Sequence, residues 1–348
     1  MGSQKSVIPI FMSMEHISLH PFRQDDAHRV TELINSPGVQ QYLTLPTPYL
    51  LCHAQDFINR CITQHLPHFC IWVDGEPAGC IGLGNSPGGD PSEQMVGYWL
   101  GADYHGRGIA TRALLQFLPL LPALAPHCRR FVAFTHVDNV ASRRVLEKGG
   151  FTCAGMITEY QGKQLPFGDA FLYTLSLSEV IDRTFTLKLW QKSDTTTLYN
   201  LISPEQITSN LLIPTPYQLH HAQAFIQDCT SNPSCRYAIC AGGRIVGGLG
   251  AEYTPDEAGG QNIKIGYWLG TDYRGQGYAT AAVKLLLQLI PVLMPEHNTI
   301  YARVLKHNTP SAGVLQKCGF TCTGEVEYDT GAATPAKVYH FEYGSANV

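Results

Sequence analysis

The sequence predicts an α/β fold built twice in one chain. The first observation is a long repeat. Gly97 to Thr111, G-Y-W-L-G-A-D-Y-H-G-R-G-I-A-T, returns at Gly266 to Thr280 as G-Y-W-L-G-T-D-Y-R-G-Q-G-Y-A-T, with eleven of fifteen positions identical. The second is that the spacing holds along the chain: the offset is 169 (266 − 97), and Asn139 and Ser142 find Asn308 and Ser311 at the same distance. Upstream, Pro46-Thr47-Pro48-Tyr49 returns as Pro214-Thr215-Pro216-Tyr217, and His53-Ala54-Gln55 as His221-Ala222-Gln223. Solenoid repeats run roughly 20–50 residues, whereas domains commonly run about 100–150, so this period is a domain. The third is that strand-like and helix-like patterns alternate within each copy. Two homologous domains are expected, residues 1–179 and 180–348, with the seam near Leu177 to Asp182.

The elements follow in order along one copy. Ile17 to Phe22 alternates apolar and polar and reads as a strand. Asp25 and Asp26 are N-cap candidates for a helix running to about Asn35. The P-T-P-Y stretch at Pro46 to Tyr49 is a loop, and His53 to Thr63 is helical with Phe57, Ile58 and Cys61 on one face. Phe69 to Val73 and Ala78 to Leu83 form a hairpin, because Asp74-Gly75 suits a tight primed turn; the second copy has Gly242-Gly243 there. A Gly/Pro loop from Asn85 to Ser92 leads to a strand, Gln94 to Leu100, and a helix, Ile109 to Leu118. Arg130 to Thr135 is a strand, and Ala141 to Lys148 a short helix ended by Gly149-Gly150. Thr152 to Thr158 and Phe171 to Leu177 close the copy as strands.

Composition sets outer limits. The chain has 348 residues, 44% hydrophobic and 15% charged, as soluble globular proteins do. A net charge of −4 and a pI near 6.4 give no basic footprint for a nucleic-acid partner. No apolar run reaches the roughly 18 residues of a membrane span; Leu114 to Leu124 is broken by Pro119 and Pro122. The eleven cysteines lack CxxC spacing, so no metal site is expected, and free thiols in a reducing cytoplasm are. The N-terminus lacks a signal-peptide core, Met1 to Ser6 matches a myristoylation pattern, and Met12 and Met14 are alternative starts.

The repeated glycine turn carries the chemistry. Glycines let the backbone turn sharply, and the unpaired amides at the start of the following helix then face outward with the positive end of the helix dipole behind them. A diphosphate is the natural guest. The spacing is neither the Rossmann G-x-G-x-x-G nor a Walker loop, since no Gly-Lys-Ser/Thr follows.

These residues resemble a known motif. Y-W-L-G-x-D-Y-R-G-Q-G-Y-A-T is similar to the acetyl-CoA motif of the GNAT N-acetyltransferases, Arg/Gln-x-x-Gly-x-Gly/Ala. Together with N-V-A-S-R-R-V-L-E-K-G-G-F at Asn139 to Phe151, it resembles the RimJ/RimL-type branch, which acetylates protein N-terminal amines and whose relatives act on other primary amines. The resemblance covers nearly all of both halves. It implies a mixed sheet with helices on both faces, splayed between its central strands to admit the pantetheine arm. The near-constant offset and the short connector predict that the two domains pack as a pseudo-dimer within a monomer. The resemblance also implies roles. The amides of His105, Gly106, Arg107, Gly108, Ile109 and Ala110, and of Arg274, Gly275, Gln276, Gly277, Tyr278 and Ala279, would hold the CoA diphosphate. Asn139 and Ser142, like Asn308 and Ser311, would flank the pantetheine and its sulfur.

Acetyl transfer needs a neutral amine, a stabilised oxyanion and a protonated or solvated leaving thiolate. An α-amino group, with a pKa near 8, needs less help than a lysine amine near 10.4. Ser142 and Ser311 are candidate acids, or else the N-caps of their short helices. Glu159, Glu325 and Glu327 are candidate bases, or else solvated edge carboxylates. Tyr98, Trp99, Tyr267 and Trp268 read as sheet packing; His53 and His221 as surface histidines or as part of the amine site, whose entrance the Tyr49 and Tyr217 loops should line. The copies differ, since Arg274 adds a permanent charge to its loop and His105 does not. The leading expectation is an acetyl-CoA-dependent N-acetyltransferase acting on a primary amine, either a protein N-terminus or a small molecule. The alternatives are a CoA-binding sensor or scaffold, and transfer of another acyl group.

Overall fold

The computed structural model describes residues 15–165, 168–211, 213–231, 235–256, 259–328 and 336–344. The myristoylation pattern, Met12 and Met14 lie outside them. The first half runs β1 (Ile17–Pro21), α1 (Asp26–Ile34), α2 (Leu51–Thr63), β2 (His68–Val73), β3 (Glu76–Asn85), β4 (Glu93–Leu100), α3 (Ile109–Phe117), α4 (Leu121–Leu124), β5 (Arg130–His136), α5 (Val140–Lys148), β6 (Thr152–Ile157), β7 (Glu159–Tyr160), β8 (Lys163–Gln164) and β9 (Ala170–Ser176). Helix α6 (Leu177–Arg183) leads to the second half: β10 (Phe185–Leu189), α7 (Thr195–Ile202), α8 (Glu205–Thr208), α9 (Leu219–Ser231), β11 (Arg236–Ala241), β12 (Arg244–Pro255), β13 (Gln261–Leu269), α10 (Tyr278–Leu293), β14 (Ile300–Leu305), α11 (Thr309–Lys317), β15 (Phe320–Tyr328) and β16 (Ala336–Tyr343).

Each half holds one mixed seven-stranded sheet, ordered β1-β2-β3-β4-β5-β9-β6 and β10-β11-β12-β13-β14-β16-β15. Among the described residues only β4–β5 and β13–β14 pair in parallel, and both pairings are short. β4 meets β5 at three positions, Glu93↔Arg130, Gln94↔Phe131 and Met95↔Val132. β13 meets β14 at two, Ile263↔Ile300 and Lys264↔Tyr301. Beyond these the central strands separate, so each sheet is splayed as the resemblance implied.

Local chemistry explains the details. Asp74 and Gly75 sit at φ 51° and 88°, and Gly242 and Gly243 at 53° and 74°, the conformation of a primed hairpin turn. Asp25 makes no side-chain cap; instead the Asp26 carboxylate accepts from the Arg23 amide at 2.8 Å. The helix expected to Leu118 ends at Phe117 and gives way to a 3-10 turn and then α4, because Pro119 and Pro122 interrupt it. Its counterpart α10 carries only Pro291 and runs unbroken to Leu293. The expected seam at Leu177 to Asp182 is not a loop but helix α6, which Ser176 and Glu179 open with a capping box. The 179/180 boundary falls inside it.

The helix pairs α1/α2 and α7/α9 each cover one face of their sheet with a core of their own. The other faces share one continuous apolar core that spans both halves, from Leu19 and Phe117 to Leu286 and Phe341. α10 is apolar around most of its circumference, and such a helix must be buried. α4 packs on β10, and α10 packs on β1 as well as on β10. Such reciprocal contacts are the mark of an isologous, two-fold-like interface. The fully buried Thr186 seals it, its hydroxyl donating to the Pro119 carbonyl at 2.5 Å.

Candidate active site

Ligand-binding loops in α/β sheets gather at the carboxyl ends of parallel strands. In the first half, β4 runs into the glycine turn that opens α3, and β5 runs into α5. The splay therefore lies between the glycine turn and the start of α5. The second half repeats this with β13, α10, β14 and α11.

The turns require glycine for conformation rather than for space. Gly106, Gly108, Gly275 and Gly277 have φ of +73°, +72°, +74° and +82°, and a Cβ on any of them would meet nothing within 4 Å. A left-handed backbone costs a non-glycine residue roughly 1–2 kcal/mol. The open space is the volume a ligand would fill. The first intrahelical bonds run from Arg112 to the Gly108 carbonyl and from Ala281 to the Gly277 carbonyl. Among the described residues, the amides of Gly106 to Thr111 and of Gly275 to Thr280 find no acceptor. These six-amide rows, each at a helix N-terminus, fit an anionic diphosphate.

Side chains of the turns are partly engaged elsewhere. His105 Nε2 stands 2.9 Å from the Leu100 carbonyl and donates to it. Arg274 Nη2 donates to the Gln206 carbonyl of α8 at 3.1 Å. Arg107 pairs with Glu15, which Arg112 also holds at 2.8 Å. Gln276 donates to the Asp272 carbonyl at 2.9 Å, as Arg107 does to that of Asp103.

Across the splay stands a second repeated group. Tyr98 reaches from β4 to α5, its hydroxyl 2.9 Å from Ser142 Oγ and 3.0 Å from the Ser142 carbonyl. Tyr267 reaches from β13 to α11, donating to the Ser311 carbonyl at 2.8 Å and accepting from Ser311 Oγ at 2.8 Å. Burial drives both tyrosine hydroxyls far above their ordinary pKa, so they stay protonated. Each keeps its proton on the serine carbonyl, which leaves the serine Oγ–H to turn toward a better acceptor.

Several sequence expectations change here. The serines are not N-caps. Asn139 and Asn308 are, each accepting from the serine amide three residues on, at 3.1 Å and 3.4 Å. Tyr98 and Tyr267, read as packing, are joined to the serines; the identical spacing of 44 residues from tyrosine to serine in both copies was the available signal. Tyr49 and Tyr217 are buried, at 5% and 8% exposure, and Tyr49 with Leu45, Pro46 and His53 lines an open cavity of about 500 Å³ in the first half. His53 and His221 accept from the Leu50 and Gln218 amides at 3.1 Å and 3.0 Å, and so cap α2 and α9. Glu159 and Glu327 are exposed, on the short strand β7 and the edge strand β15, and no described contact joins either to a serine–tyrosine pair. Glu325 is paired with Lys306 at 2.5 Å. In the first half, β5 ends at His136, 5.5 Å from the Tyr42 ring; the second copy has Leu305 there.

All eleven cysteines are free thiols. Burial pushes Cys61 up to about 12 and Cys240 up to about 11, so neither is a nucleophile. Among the described residues no cluster of His, Cys, Asp and Glu could hold a metal, and no helix is long and apolar enough to cross a membrane.

The family model for the acetyltransferase (GNAT) domain matches residues 16–152 and again 184–321. The chain belongs to this family. It is an N-acetyltransferase carrying two GNAT domains in tandem. A ribosomal-protein-serine acetyltransferase of Escherichia coli (strain K12) is 26% identical over 170 residues, which cover 46% of this chain and 92% of the relative. Similar solved structures include RimL, a ribosomal L7/L12 α-N-protein acetyltransferase in complex with coenzyme A, at 21% identity and TM-score 0.39 over 49% of this chain and 98% of its own. Mycobacterium smegmatis RimJ in complex with CoA-disulfide stands at 25% identity and TM-score 0.38, over 47% of this chain and 83% of its own.

Proposed function

We propose that both GNAT domains bind acetyl-CoA and that the chain transfers its acetyl group to a primary amine. The observation that carries this reading is a coincidence found twice. A row of six free amides at a helix N-terminus, a splay between the central strands and a serine hydroxyl held at its edge occur together in both halves. The amides of Gly106 to Thr111 and of Gly275 to Thr280 would hold the diphosphate; those of His105 and Arg274, expected to join them, already bond the Ala102 and Thr271 carbonyls, so Arg274 would contribute its side-chain charge instead. When bound, acetyl-CoA supplies an activated acyl group and a thiolate leaving group. Ser142 and Ser311 would hand a proton, or a hydrogen bond, to the departing sulfur. Asn139 and Asn308 hold those serines in place by capping their helices. Glu159 and Glu327 remain candidate bases, and an α-amine would need little from them.

The test is release of free thiol from acetyl-CoA by the full chain, against a panel of N-terminal peptides and small primary amines. The shared core argues against separating the halves, so each site is disabled in place, by Gly108→Asp or Gly277→Asp. A carboxylate there opposes a diphosphate and strains the turn. Amine-dependent thiol release that falls with each variant supports the reading. No amine-dependent release with any acceptor sinks it and leaves a CoA-binding role.

A further inference from the structure

Opposite the serine–tyrosine pair, the second sheet carries a cavity of about 210 Å³. Its floor is a face of β12 and β13 built from cross-strand partners: Gly248 opposite Trp268, Gly250 opposite Gly266, and Glu252 opposite Lys264. Its walls are aromatic, with Trp190 and Phe225 edge to face at 6.1 Å and Trp268 across from them. The floor is bare. A Cβ on Gly266 would meet nothing within 4 Å, and one on Gly250 would first meet Arg236 Cγ at an ordinary 3.5 Å. The rim charges are paired: Lys264 with Glu252 at 2.5 Å, and Arg236 with Asp228. A rim neutralised in pairs selects no ionic group, whereas aromatic walls over a flat glycine floor suit a ring. An apolar cavity near 150 Å³ holds benzene, so this one takes a ring of phenyl to indole size.

The first half covers part of the same place, although Gly97, its counterpart of Gly266, is equally bare. Cys80 stands where the second has Gly248, and His68 where it has Arg236. Arg236 is drawn outward to Asp228, but the His68 ring lies on Gly82, where a Cβ would come within 2.6 Å of its Cδ2, and edge-on to Phe57 at 5.5 Å. Burial pushes the His68 imidazole down to about 4, so it remains a neutral plug.

Gly266 lies two residues beyond Lys264, the last residue of β13 paired with β14. The cavity therefore opens beside the splay. We propose that it binds a flat apolar group of the acceptor, so that the second half takes primary amines carrying an aryl group a few bonds from the nitrogen, and the first half excludes them. This rests on the acetyl-transfer reading for the amine, but not for the binding of the ring.

The test titrates the full chain with 2-phenylethylamine and with 2-phenylethanol, followed by tryptophan fluorescence and ligand-detected NMR. Both probes should bind, and Gly266→Leu, which fills the cavity, should weaken both at least tenfold; Gly266→Ala should do so less. His68→Arg with Cys80→Gly should create a second site. Equal binding by wild type and folded Gly266→Leu, or none by either at millimolar probe, overturns the assignment. Turnover separates the two claims. Acetylation of 2-phenylethylamine should exceed that of ethylamine at least tenfold in kcat/KM, and Gly266→Leu should erase the difference. Binding that responds to Gly266→Leu without acetylation of any amine upholds the cavity and removes the transfer reading. Acetylation of both amines alike, unchanged in Gly266→Leu, overturns the cavity and keeps the transfer.

Discussion

Replacing Ser142 and Ser311 by alanine in one chain separates a chemical role from a structural one. The helix cap belongs to Asn139 and Asn308, so the substitution leaves it in place. Each tyrosine hydroxyl keeps its bond to the serine carbonyl, at 3.0 Å in the first half and 2.8 Å in the second. No buried donor is orphaned, and the structural loss is one side-chain hydrogen bond per half, about 0.5–1.5 kcal/mol. In a domain of this size about 1 kcal/mol moves Tm by roughly 2–4 °C. The chemical loss is larger. A hydrogen bond to a charged acceptor, here the departing thiolate, is worth about 1.5–3 kcal/mol, or roughly ten- to a hundredfold in kcat. Both serines must go, because a single variant leaves the other half working. Steady-state thiol release should show kcat down by that factor with the acetyl-CoA KM little changed, beside a small Tm shift by calorimetry. A kcat within twofold of wild type would refute the acid role and leave the serines as fasteners for Tyr98 and Tyr267.

Other variants probe the frame. Asn308→Ala removes the α11 cap and should cost about 1 kcal/mol in denaturant unfolding. Gly277→Ala forces a Cβ into a φ of +82° and should cost about 1–2 kcal/mol while weakening acetyl-CoA binding at that half; equal affinity would argue against the turn as the diphosphate site. Thr186→Val leaves the Pro119 carbonyl unpaired at the interface between halves and should destabilise by roughly 1–3 kcal/mol. His68 gives an acid limb. Its folded pKa near 4 lies below an unfolded value of about 6.5, so the unfolded chain takes the proton first. Stability is whole above the unfolded value and falls as pH drops from there through 4, by roughly 3 kcal/mol if nothing else titrates. His68→Phe should flatten that limb in pH-dependent melting.

The repeat made most of the fold legible. Period-2 and period-3.6 patterns located the main strands and helices to within a few residues, because burial on one face writes itself into sequence. The resemblance supplied the splay, which no local pattern encodes. What stayed hidden depended on tertiary partners. The β7–β8 hairpin is too short to show periodicity, and helix α6 lies where two domains were expected merely to join. Ser142 and Ser311 stand out in the repeat, but their partnership with Tyr98 and Tyr267 needs two distant segments brought together across the splay. His53 and His221 repeat because they cap helices, a local bond that repetition alone cannot tell from a shared site. Glu159 and Glu327 are candidates by residue type and strand position, and neither property fixes a distance to the serines.

The most direct measurement is calorimetric titration of the full chain with acetyl-CoA, at neutral pH, for wild type, Gly108→Asp and Gly277→Asp. Two equivalents should bind to wild type and one to each variant. The site left in Gly108→Asp should be the tighter, since Arg274 adds a charge there worth roughly a tenfold gain. No binding by wild type, or two equivalents retained in both variants, would contradict acetyl-CoA occupancy of the two glycine turns.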